Sequence, residues 1–502
     1  MDVESKGDIV STEIRTAAPL RLPPLDLHIG GAWRPSGSGR RFATINPATG
    51  KPLCEVAEAD VRDADAAVQA ARAALGGAWG RMSASERGKL LWKLGDRILD
   101  NLEDLAALES ADTGKPIAEA RSIDVPLAAD CFHYYAGLAT KIEGATVPVR
   151  GPFFCYTLRE PVGVMALITP WNFPMLLSAR KLAVALAAGN AIIHKPASET
   201  PLSALRMAEL AAEVGFPAGV WNALPGRGSV AGAALVEHPG IGGIAFTGST
   251  EVGQQLMRQA AGSLKKLTLE LGGKSPHIVL ADADLEQAAK FVMIGIFYNA
   301  GEVCTAGSRL FVESSVYEAF MDKLVERSAK MVPGDPSDPK TRLGPLVSAK
   351  QLESVQQYVN VGKKEGARLL LGGERSDIPN REGYYFKPTI FGDVQSDMTI
   401  AREEIFGPVL AALRFESMDE MVTQANTTPY GLAAGVWTRD VKKAHGLARA
   451  LQAGTVWVNT FGMFDTAAPY GGYKASGFGR ESGLAALESY TQLKTVWVDL
   501  KA

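Results

Sequence analysis

The sequence has 502 residues, 46% of them hydrophobic and 21% charged, which is the composition of a soluble globular protein. This length exceeds one ordinary hydrophobic core and predicts two or three domains. The formal net charge of −3 argues against a nucleic acid or an anionic membrane as a partner. Four cysteines without CxxC spacing and six scattered histidines indicate neither a disulfide framework nor a metal site, and they favour a reducing, cytoplasmic location.

The chain opens with a predicted N-terminal arm, residues 1–27, which has no apolar run long enough for a signal peptide. Residues 61–110 are rich in Ala, Leu, Glu and Arg at helical spacing and predict two helices. Two short strand-like runs between residues 144 and 160 predict a hairpin, and a last strand is predicted at Lys494–Leu500. A partner subunit could cover the unpaired edges of these strands.

From residue 162 onward, short apolar runs alternate with amphipathic helical patterns, such as those at Pro201–Val214 and Glu251–Ala261. The predicted strands are Val162–Ile168, Ala191–His194, Trp221–Leu224, Gly243–Phe246 and Lys266–Leu269. This alternation predicts a parallel sheet with ligands at the carboxyl ends of its strands. Charged residues and prolines interrupt the most apolar stretch, residues 162–193, so we expect no membrane span there. A second α/β stretch begins at Ser275–Leu280 and continues to about residue 472.

Cys304 is the first candidate for chemistry. It lies among small residues and glycines in the segment Asn299–Arg309, and its thiol becomes a strong nucleophile if its pKa is lowered. Glu270 closes an apolar strand, so we expect partial burial to raise the pKa of its carboxyl toward that of a general base. Asn172 supplies the amide that carbonyl chemistry at a thiolate requires. The alternatives are a buried structural cysteine and a strand-end carboxylate paired with a neighbour.

Three further features could hold a nucleotide. Phe246–Gly253 follows a strand and opens a helix whose free amides could bind a pyrophosphate. Its glycine spacing departs from the GxGxxG fingerprint and equally suits a plain strand-to-helix turn. Lys195 could reach ribose or phosphate oxygens, and Glu404 could accept hydrogen bonds from ribose hydroxyls. A solvated lysine and an acidic surface loop explain these two residues as well.

Seven motifs, in this order along the chain, carry a resemblance to a known family. They are Thr169–Pro174, His194–Pro196, Phe246–Ser249, Leu269–Lys274, Asn299–Arg309, Glu403–Val409 and Gly471–Arg480. Together they resemble the aldehyde dehydrogenase superfamily, of the hydrolytic NAD(P)-dependent type, from about residue 28 to the end of the sequence.

The resemblance implies an α/β fold with three parts. They are a Rossmann-like parallel-sheet cofactor domain at residues 28–142 and 162–272, a second α/β catalytic domain at 273–475, and a small β oligomerisation arm at 143–161 and 485–502. Similar enzymes assemble as homodimers or homotetramers, and the edge strands predicted above agree with that.

The resemblance also implies oxidation of a small-molecule aldehyde to its carboxylic acid, with NAD or NADP as the cofactor and without a metal. Cys304 would carry a thiohemiacetal and then a thioester, and its backbone N–H and the Asn172 amide would hold the oxyanion. Glu270 would activate the hydrolytic water. Glu481 and Lys181 would relay the proton outward. The residues implied in cofactor binding are Trp171, Lys195, Ser198, Gly248, Ser249, Gly253, Glu404 and Phe406.

Two positions depart from the family pattern. Glu302 stands where many relatives have glutamine, and its carboxylate could raise the pKa of the Cys304 thiol. Ser198 stands where NAD-preferring relatives often have glutamate. Because serine does not repel a 2′-phosphate, we expect NADP to be accepted as well as NAD.

The substrate channel is predicted from a helical stripe, Phe173, Leu177 and Arg180, at positions i, i+4 and i+7. The other predicted channel residues are Val303, Thr305, Phe461, Phe464 and Tyr470. The aromatic rings suit an apolar or aryl aldehyde, although they also suit an ordinary core.

Arg180 raises the possibility of a carboxylate-bearing substrate. Succinic semialdehyde dehydrogenases have an arginine at this position that can bind a substrate carboxylate in a bidentate pair. The second arginine of that subgroup is Tyr298 here, and Asp124 or Asp130 could instead pair with Arg180. Two more alternatives remain: a CoA-acylating semialdehyde dehydrogenase, which the presence of Glu270 disfavours, and a catalytically silent homologue.

Overall fold

The computed structural model describes residues 20–379 and 381–501, so most of the predicted N-terminal arm lies outside it. Up to residue 161 the elements are β1 Leu27–Ile29, β2 Ala32–Arg34, β3 Arg41–Asn46, β4 Lys51–Ala57, α1 Val61–Gly76, α2 Ala78–Arg81, α3 Ala84–Asp100, α4 Leu102–Thr113, α5 Ile117–Glu119, α6 Val125–Leu138, β5 Thr146–Val147 and β6 Phe153–Pro161. The expectation of two helices over residues 61–110 is wrong. Gly77 ends α1, a capping box at Ser83 begins α3, and Asn101 lies between α3 and α4, so this helical pattern is divided into shorter pieces.

The first large sheet forms from alternating strands and helices. They are β7 Val164–Ile168, α7 Pro174–Ala187, β8 Ala191–Lys195, α8 Leu202–Glu213, β9 Trp221–Ala223, α9 Ala233–Glu237, β10 Gly243–Thr247, α10 Thr250–Ala260 and β11 Lys266–Glu270. The strands pair in parallel in the order β11-β10-β7-β8-β9, and β1 adds to β9 in the antiparallel direction. β7 and β8 are buried along their whole length, as expected for a sheet covered on both faces. The predicted parallel sheet is confirmed, with strand ends that differ by at most two residues.

The second large sheet is built in the same way. Its region contains β12 Pro276–Val279, α11 Leu285–Phe297, β13 Arg309–Glu313, α12 Tyr317–Ser328, α13 Ala349–Lys364, β14 Arg368–Leu371, β15 Thr389–Gly392, α14 Thr399–Arg402, β16 Val409–Phe415, α15 Met418–Asn426, β17 Ala433–Trp437, α16 Val441–Ala450 and β18 Thr455–Val458. The strand order is β14-β15-β16-β13-β12-β17-β18, with β14 alone running antiparallel to its neighbour in this sheet. The loop that carries Cys304 joins α11 to β13.

The remaining elements are β19 Gly477–Phe478, α17 Leu487–Tyr490 and β20 Thr491–Asp499. β19 pairs with β11 of the first sheet, while β20 pairs with β6 along nine positions. β5 lies on the other side of β6, so the predicted hairpin and the last strand form one small antiparallel sheet. β20 begins three residues earlier than predicted. Within the described ranges, no helix combines the length and apolarity that a membrane crossing requires.

Candidate active site

The backbone before Cys304 makes an unusually tight turn. Asn299, Ala300 and Gly301 have successive positive φ angles of 46°, 53° and 75°. A Cβ atom at Gly301 would lie 2.2 Å from the carbonyl oxygen of Gly407, so only glycine fits there. Consecutive left-handed residues are costly and persist only when their surroundings hold them. The turn therefore fixes the place of the thiol.

Asn172 connects the carboxyl end of β7 to this turn. Its side-chain amide donates to the carbonyl oxygen of Glu302 at 2.9 Å, and the side-chain amide of Asn299 donates to the backbone carbonyl of Asn172 at 3.1 Å. An amide nitrogen carries two N–H groups, so the second one of Asn172 can be offered to an oxyanion beside Cys304.

A cavity of about 300 Å³ lies between the first sheet and the Cys304 loop. It is lined by Cys304 and Glu270 and by the predicted channel residues Phe173, Leu177, Arg180, Val303, Thr305, Phe461, Phe464 and Tyr470. The lining also includes residues that were not predicted from the sequence, among them Ile123, Leu127, Leu176, Ile294 and Met463. Leu176 lies on α7 three positions after Phe173 and four before Arg180, so the predicted helical stripe should have included it. The other missed residues have no comparable signal in the local sequence.

Glu270 ends β11 and is 2% exposed. Neither of its carboxylate oxygens has a hydrogen-bond partner among the described residues, so the alternative of a paired strand-end charge is wrong. Burial raises the pKa of this carboxyl to about 8, against the opposing effect of the positive charges of Lys181, Arg480 and Arg180. Such a carboxyl can act as a general base near neutral pH.

Burial also raises the pKa of the Cys304 thiol to about 11, and the carboxylates of Glu404 and Glu270 add to the rise. The hydroxyl of Tyr470, 3.1 Å from the sulfur, and the charge of Arg180 act in the opposite direction. The resting thiol is therefore neutral, and it must lose its proton before it can attack.

The expected influence of Glu302 on the thiol is wrong. Its carboxylate accepts a hydrogen bond from the backbone N–H of Val347 at 3.0 Å, and burial raises its own pKa well above the usual range. A neutral carboxyl held in this way adds no charge beside Cys304.

Lys181 and Glu481 form a fully buried ion pair next to Glu270. Lys181 also donates to the hydroxyl of Thr247 at 2.7 Å, and Thr247 is the register partner of Glu270 between β10 and β11. Burial lowers the pKa of the Lys181 ammonium to about 7. Lys181 and Glu481 thus lie beside Glu270, and the role in a proton path that the family resemblance implies for them stays a prediction.

Arg180 places a positive charge in the cavity wall. It is 8% exposed, and its guanidinium lies 5.3 Å and 5.2 Å from the ring centroids of Phe464 and Tyr470. Cation–π contacts of this kind offset part of the cost of burying the charge.

The carboxylates that could have capped Arg180 are engaged elsewhere. Asp124 forms a buried ion pair with Lys115, and Asp130 accepts a hydrogen bond from Thr466 at 2.6 Å. Over residues 20–379 and 381–501, no carboxylate oxygen lies within 4.0 Å of the Arg180 guanidinium. The expectation of a structural pair with Asp124 or Asp130 is therefore wrong.

Lys195 is the last residue of β8, and Ser198 follows three positions later. Lys195 is buried, not solvated, and burial lowers the pKa of its ammonium to about 8. It donates to the carbonyl oxygen of Pro196 at 2.8 Å, which leaves further N–H donors for ribose or phosphate oxygens. The Ser198 hydroxyl donates to Glu199 at 3.3 Å.

The turn after β10 suits close approach by a nucleotide. Ser249 caps α10 by accepting a hydrogen bond from the Val252 amide at 3.4 Å. A Cβ atom at Gly253 would lie 2.5 Å from a methyl carbon of Leu271, and one at Gly248 would clash with a neighbouring ring. Glycines at these positions let the helix start pack tightly. The amides of Gly248 and Gly253 donate to the carbonyl oxygens of Glu270 at 3.1 Å and Ser249 at 3.0 Å, so the amides left for an anion are those of Ser249, Thr250 and Glu251 at the start of α10.

Glu404, Phe406 and Trp171 complete the predicted cofactor residues. Glu404 accepts a hydrogen bond from the Gly273 amide at 3.0 Å, and burial raises the pKa of its carboxyl to about 7. The rings of Trp171 and Phe406 meet edge to face with centroids 5.2 Å apart. The acidic-surface explanation of Glu404 is not supported, since its side chain is half-buried and hydrogen-bonded beside the turn after β11.

Residues 33–496 match the model of the aldehyde dehydrogenase family. Among curated proteins, mitochondrial aldehyde dehydrogenase of Homo sapiens is 50% identical over 488 residues, which cover 96% of this chain and 94% of that protein. Retinal dehydrogenase 2 of Homo sapiens is 48% identical over 512 residues, which cover 99% of this chain and 98% of that protein.

Solved structures agree. The NAD+ complex of an aldehyde dehydrogenase from Bacillus cereus superposes with a TM-score of 0.93 at 49% identity, covering 95% of this chain and 97% of that one. A mutant of the P. syringae indole-3-acetaldehyde dehydrogenase AldA in complex with NAD+ and IAA superposes with a TM-score of 0.94 at 43% identity, covering 96% and 97%.

Proposed function

The chain belongs to the aldehyde dehydrogenase family, and from that premise we propose which of its residues oxidise an aldehyde to its carboxylic acid with NAD(P)+. The observation that carries the proposal is one cavity lined by both a thiol, Cys304, and an unpaired buried carboxyl, Glu270. Asn172 is hydrogen-bonded to the loop of that thiol. A nucleophile, a base and an oxyanion donor therefore converge on one space that an aldehyde can enter.

Cys304 first gives its thiol proton to a water molecule, and the resulting thiolate attacks the aldehyde carbon. A bond forms between sulfur and carbon, and the electron pair of the carbonyl double bond moves onto the oxygen. The second N–H of the Asn172 amide and the backbone N–H of Cys304 stabilise that oxygen. One such donor is typically worth roughly 3–4 kcal/mol.

When NAD(P)+ is bound, its nicotinamide ring supplies the acceptor for the hydride that leaves the substrate carbon. The chain then holds a thioester on Cys304. The Glu270 carboxylate takes a proton from a water molecule as that water attacks the thioester carbon, and the sulfur leaves with its electron pair. Lys181 and Glu481 offer the route by which this proton departs.

The cofactor is held at the carboxyl ends of β7, β8 and β10. Lys195 has free donors for ribose or phosphate oxygens, and Glu404 has a carboxylate oxygen left for ribose hydroxyls. The amides of Ser249 and Thr250, at the start of α10, are left for the pyrophosphate. Ser198 adds no negative charge, so both NAD and NADP are used.

A second candidate is a substrate that carries a carboxylate at its far end. The observation that favours it is Arg180, a buried guanidinium in the cavity wall without a carboxylate partner among the described residues. A substrate carboxylate would supply the missing charge in a bidentate pair. The aromatic rings of Phe173, Phe461 and Phe464 favour an apolar or aryl group between the aldehyde and that carboxylate. An aldehyde that has both an aryl group and a distal carboxylate would fit the rings and Arg180 together.

Water, not CoA, cleaves the thioester, because Glu270 is present as a base.

The protein acts in the cytoplasm as a homodimer or homotetramer. Residues 28–142 and 162–272 bind the cofactor, residues 273–475 form the catalytic domain, and residues 143–161 and 485–502 form the oligomerisation arm. The small sheet of β5, β6 and β20 supports the assembly, since Phe154, Leu493 and Trp497 expose apolar surface on it.

The test of this function is Cys304→Ala. We expect oxidation of any aldehyde to fall by about 10⁴-fold or more, because the nucleophile is lost. The variant should still bind NAD+, because the cofactor residues are unchanged. Quenching of tryptophan fluorescence measures this binding. An alanine variant that still oxidises aldehydes at a comparable rate would contradict the role of Cys304.

A further inference from the structure

The hydroxyl oxygen of Tyr470 lies 3.1 Å from the sulfur of Cys304, within hydrogen-bond distance. We propose that Tyr470 donates this hydrogen bond to the Cys304 thiolate and so stabilises the attacking form of the nucleophile. The inference rests on the proposed role of Cys304 and adds to it a residue that touches the reacting atom. Hydrogen bonds to a charged acceptor are about twice as strong as those between neutral groups.

Tyr470 is held in place from two sides. Its backbone N–H and carbonyl oxygen both pair with the backbone of Glu481 at 2.7 Å, in an isolated antiparallel bridge. Its ring meets the ring of Phe464 edge to face at 5.8 Å, and the guanidinium of Arg180 lies on it at 5.2 Å. A buried ring fixed in this way has little freedom to turn its hydroxyl away from the sulfur.

The other charged groups around the sulfur explain why a donor is needed. The carboxylates of Glu270, at the end of β11, and Glu404, after α14, disfavour a second negative charge beside them. Arg180, on α7, favours the thiolate through its charge. Tyr470 itself keeps its proton, because burial and the neighbouring Cys304 and Glu270 raise its pKa well above the usual value. Its hydroxyl can therefore donate at every pH at which the enzyme works.

A second tyrosine in the same cavity provides a contrast. The hydroxyl of Tyr298 is buried and has no hydrogen-bond partner among the described residues, although its ring also lines the cavity. A tyrosine hydroxyl in this cavity can therefore be buried without forming a hydrogen bond to the described residues. The contact between Tyr470 and Cys304 is therefore specific to that position, and Tyr298→Phe is a matched control for Tyr470→Phe.

The experiment measures the pH dependence of alkylation of Cys304 by iodoacetamide in the full-length protein without aldehyde. Mass spectrometry of the Cys304 peptide separates this thiol from Cys54, Cys131 and Cys155. We expect Tyr470→Phe to shift the profile to higher pH by about one unit, which is roughly tenfold slower alkylation at a fixed pH below the thiol pKa. Tyr298→Phe should leave the profile where it is in the wild type.

An unshifted profile in Tyr470→Phe, or a shift to lower pH, would overturn the inference, as would an equal shift in both phenylalanine variants. Thermal melting of each variant checks that the fold is intact, and Tyr470→Leu, which also removes the hydroxyl, should give a shift in the same direction. The outcomes separate the two proposals. Activity that survives in Cys304→Ala would refute the proposed function, whereas an inactive Cys304→Ala with an unshifted Tyr470→Phe would refute this inference alone.

Discussion

Two buried regions of this protein differ in whether their ionisable side chains have partners of opposite charge. In one, next to the ring of Phe173, Lys115 and Asp124 are fully buried and form an ion pair with each other. In the other, the cavity beside Cys304, the buried carboxyl of Glu270 and the guanidinium of Arg180 have no opposite charge within bonding distance among the described residues. A buried charge without a partner costs several kcal/mol. The Lys115–Asp124 pair thus offsets the cost of its own burial, whereas Glu270 and Arg180 are left open to water and substrate.

Among the paired and unpaired groups, the largest effect is expected from Asn172, whose side-chain amide has one N–H bonded to the carbonyl oxygen of Glu302 and one N–H free among the described residues. Asn172→Ala removes the N–H offered to the oxyanion, and we expect kcat to fall by about 10²–10³-fold. Asn190 is the control, because its amide nitrogen donates to two carbonyl oxygens at 3.0 Å and 2.9 Å. Asn190→Ala should lower the melting temperature and change kcat far less. Equal losses of kcat in Asn172→Ala and Asn190→Ala would contradict the claim that the free N–H of Asn172 stabilises the oxyanion.

A smaller effect is expected from Arg180→Ala, assayed on aliphatic, aryl, amino and carboxy aldehydes with both cofactors. If a substrate carboxylate binds the guanidinium, kcat/KM for carboxy aldehydes should fall by about 10–100-fold while the other aldehydes change little. Arg206, which pairs with Glu209 and Glu213, is the matched buried arginine. Arg206→Ala should lower stability without changing the preference among aldehydes. A wild-type enzyme that shows no preference for carboxy aldehydes would retire the second candidate function.

The smallest effect concerns the cofactor. Ser198→Glu adds a carboxylate where a 2′-phosphate would lie, and we expect KM for NADP to rise by about tenfold while KM for NAD changes little. Ser198→Gln has the same length without the charge and separates repulsion from bulk. If the KM of Ser198→Glu for NADP equals that of the wild type, the 2′-phosphate does not bind next to Ser198.

The residues at strand ends could be predicted from the sequence. Glu270 and Lys195 each close a continuous apolar run, and in a parallel sheet such ends lie together at one edge. Burial of Glu270 and the rise in the pKa of its carboxyl follow from that placement, whereas the sequence left a solvated Lys195 as an explanation and the structure buries it. Local pattern was enough here because the strand, its end and the site residue are neighbours in the sequence.

Contacts between distant segments could not be predicted. Tyr470 lies 166 residues after Cys304, and its hydroxyl reaches the sulfur because an isolated bridge to Glu481 folds that loop over the cavity. The sequence predicted a ring in the channel wall but not this hydrogen bond. Likewise, the sequence could not show that Asp124 pairs with Lys115 and leaves Arg180 free, since the choice between buried partners depends on packing.

The central claim is that Glu270 is the base that releases the acid from Cys304, and Glu270→Gln tests it most directly. Because burial raises the pKa of this carboxyl to about 8, hydrolysis in the wild type should speed up with pH through that region, as the carboxylate form becomes populated. In Glu270→Gln, mass spectrometry after mixing with NAD+ and an aldehyde should find an acyl group trapped on Cys304, and the rise with pH should disappear. Unchanged steady-state turnover with no acyl group on Cys304 would contradict the account.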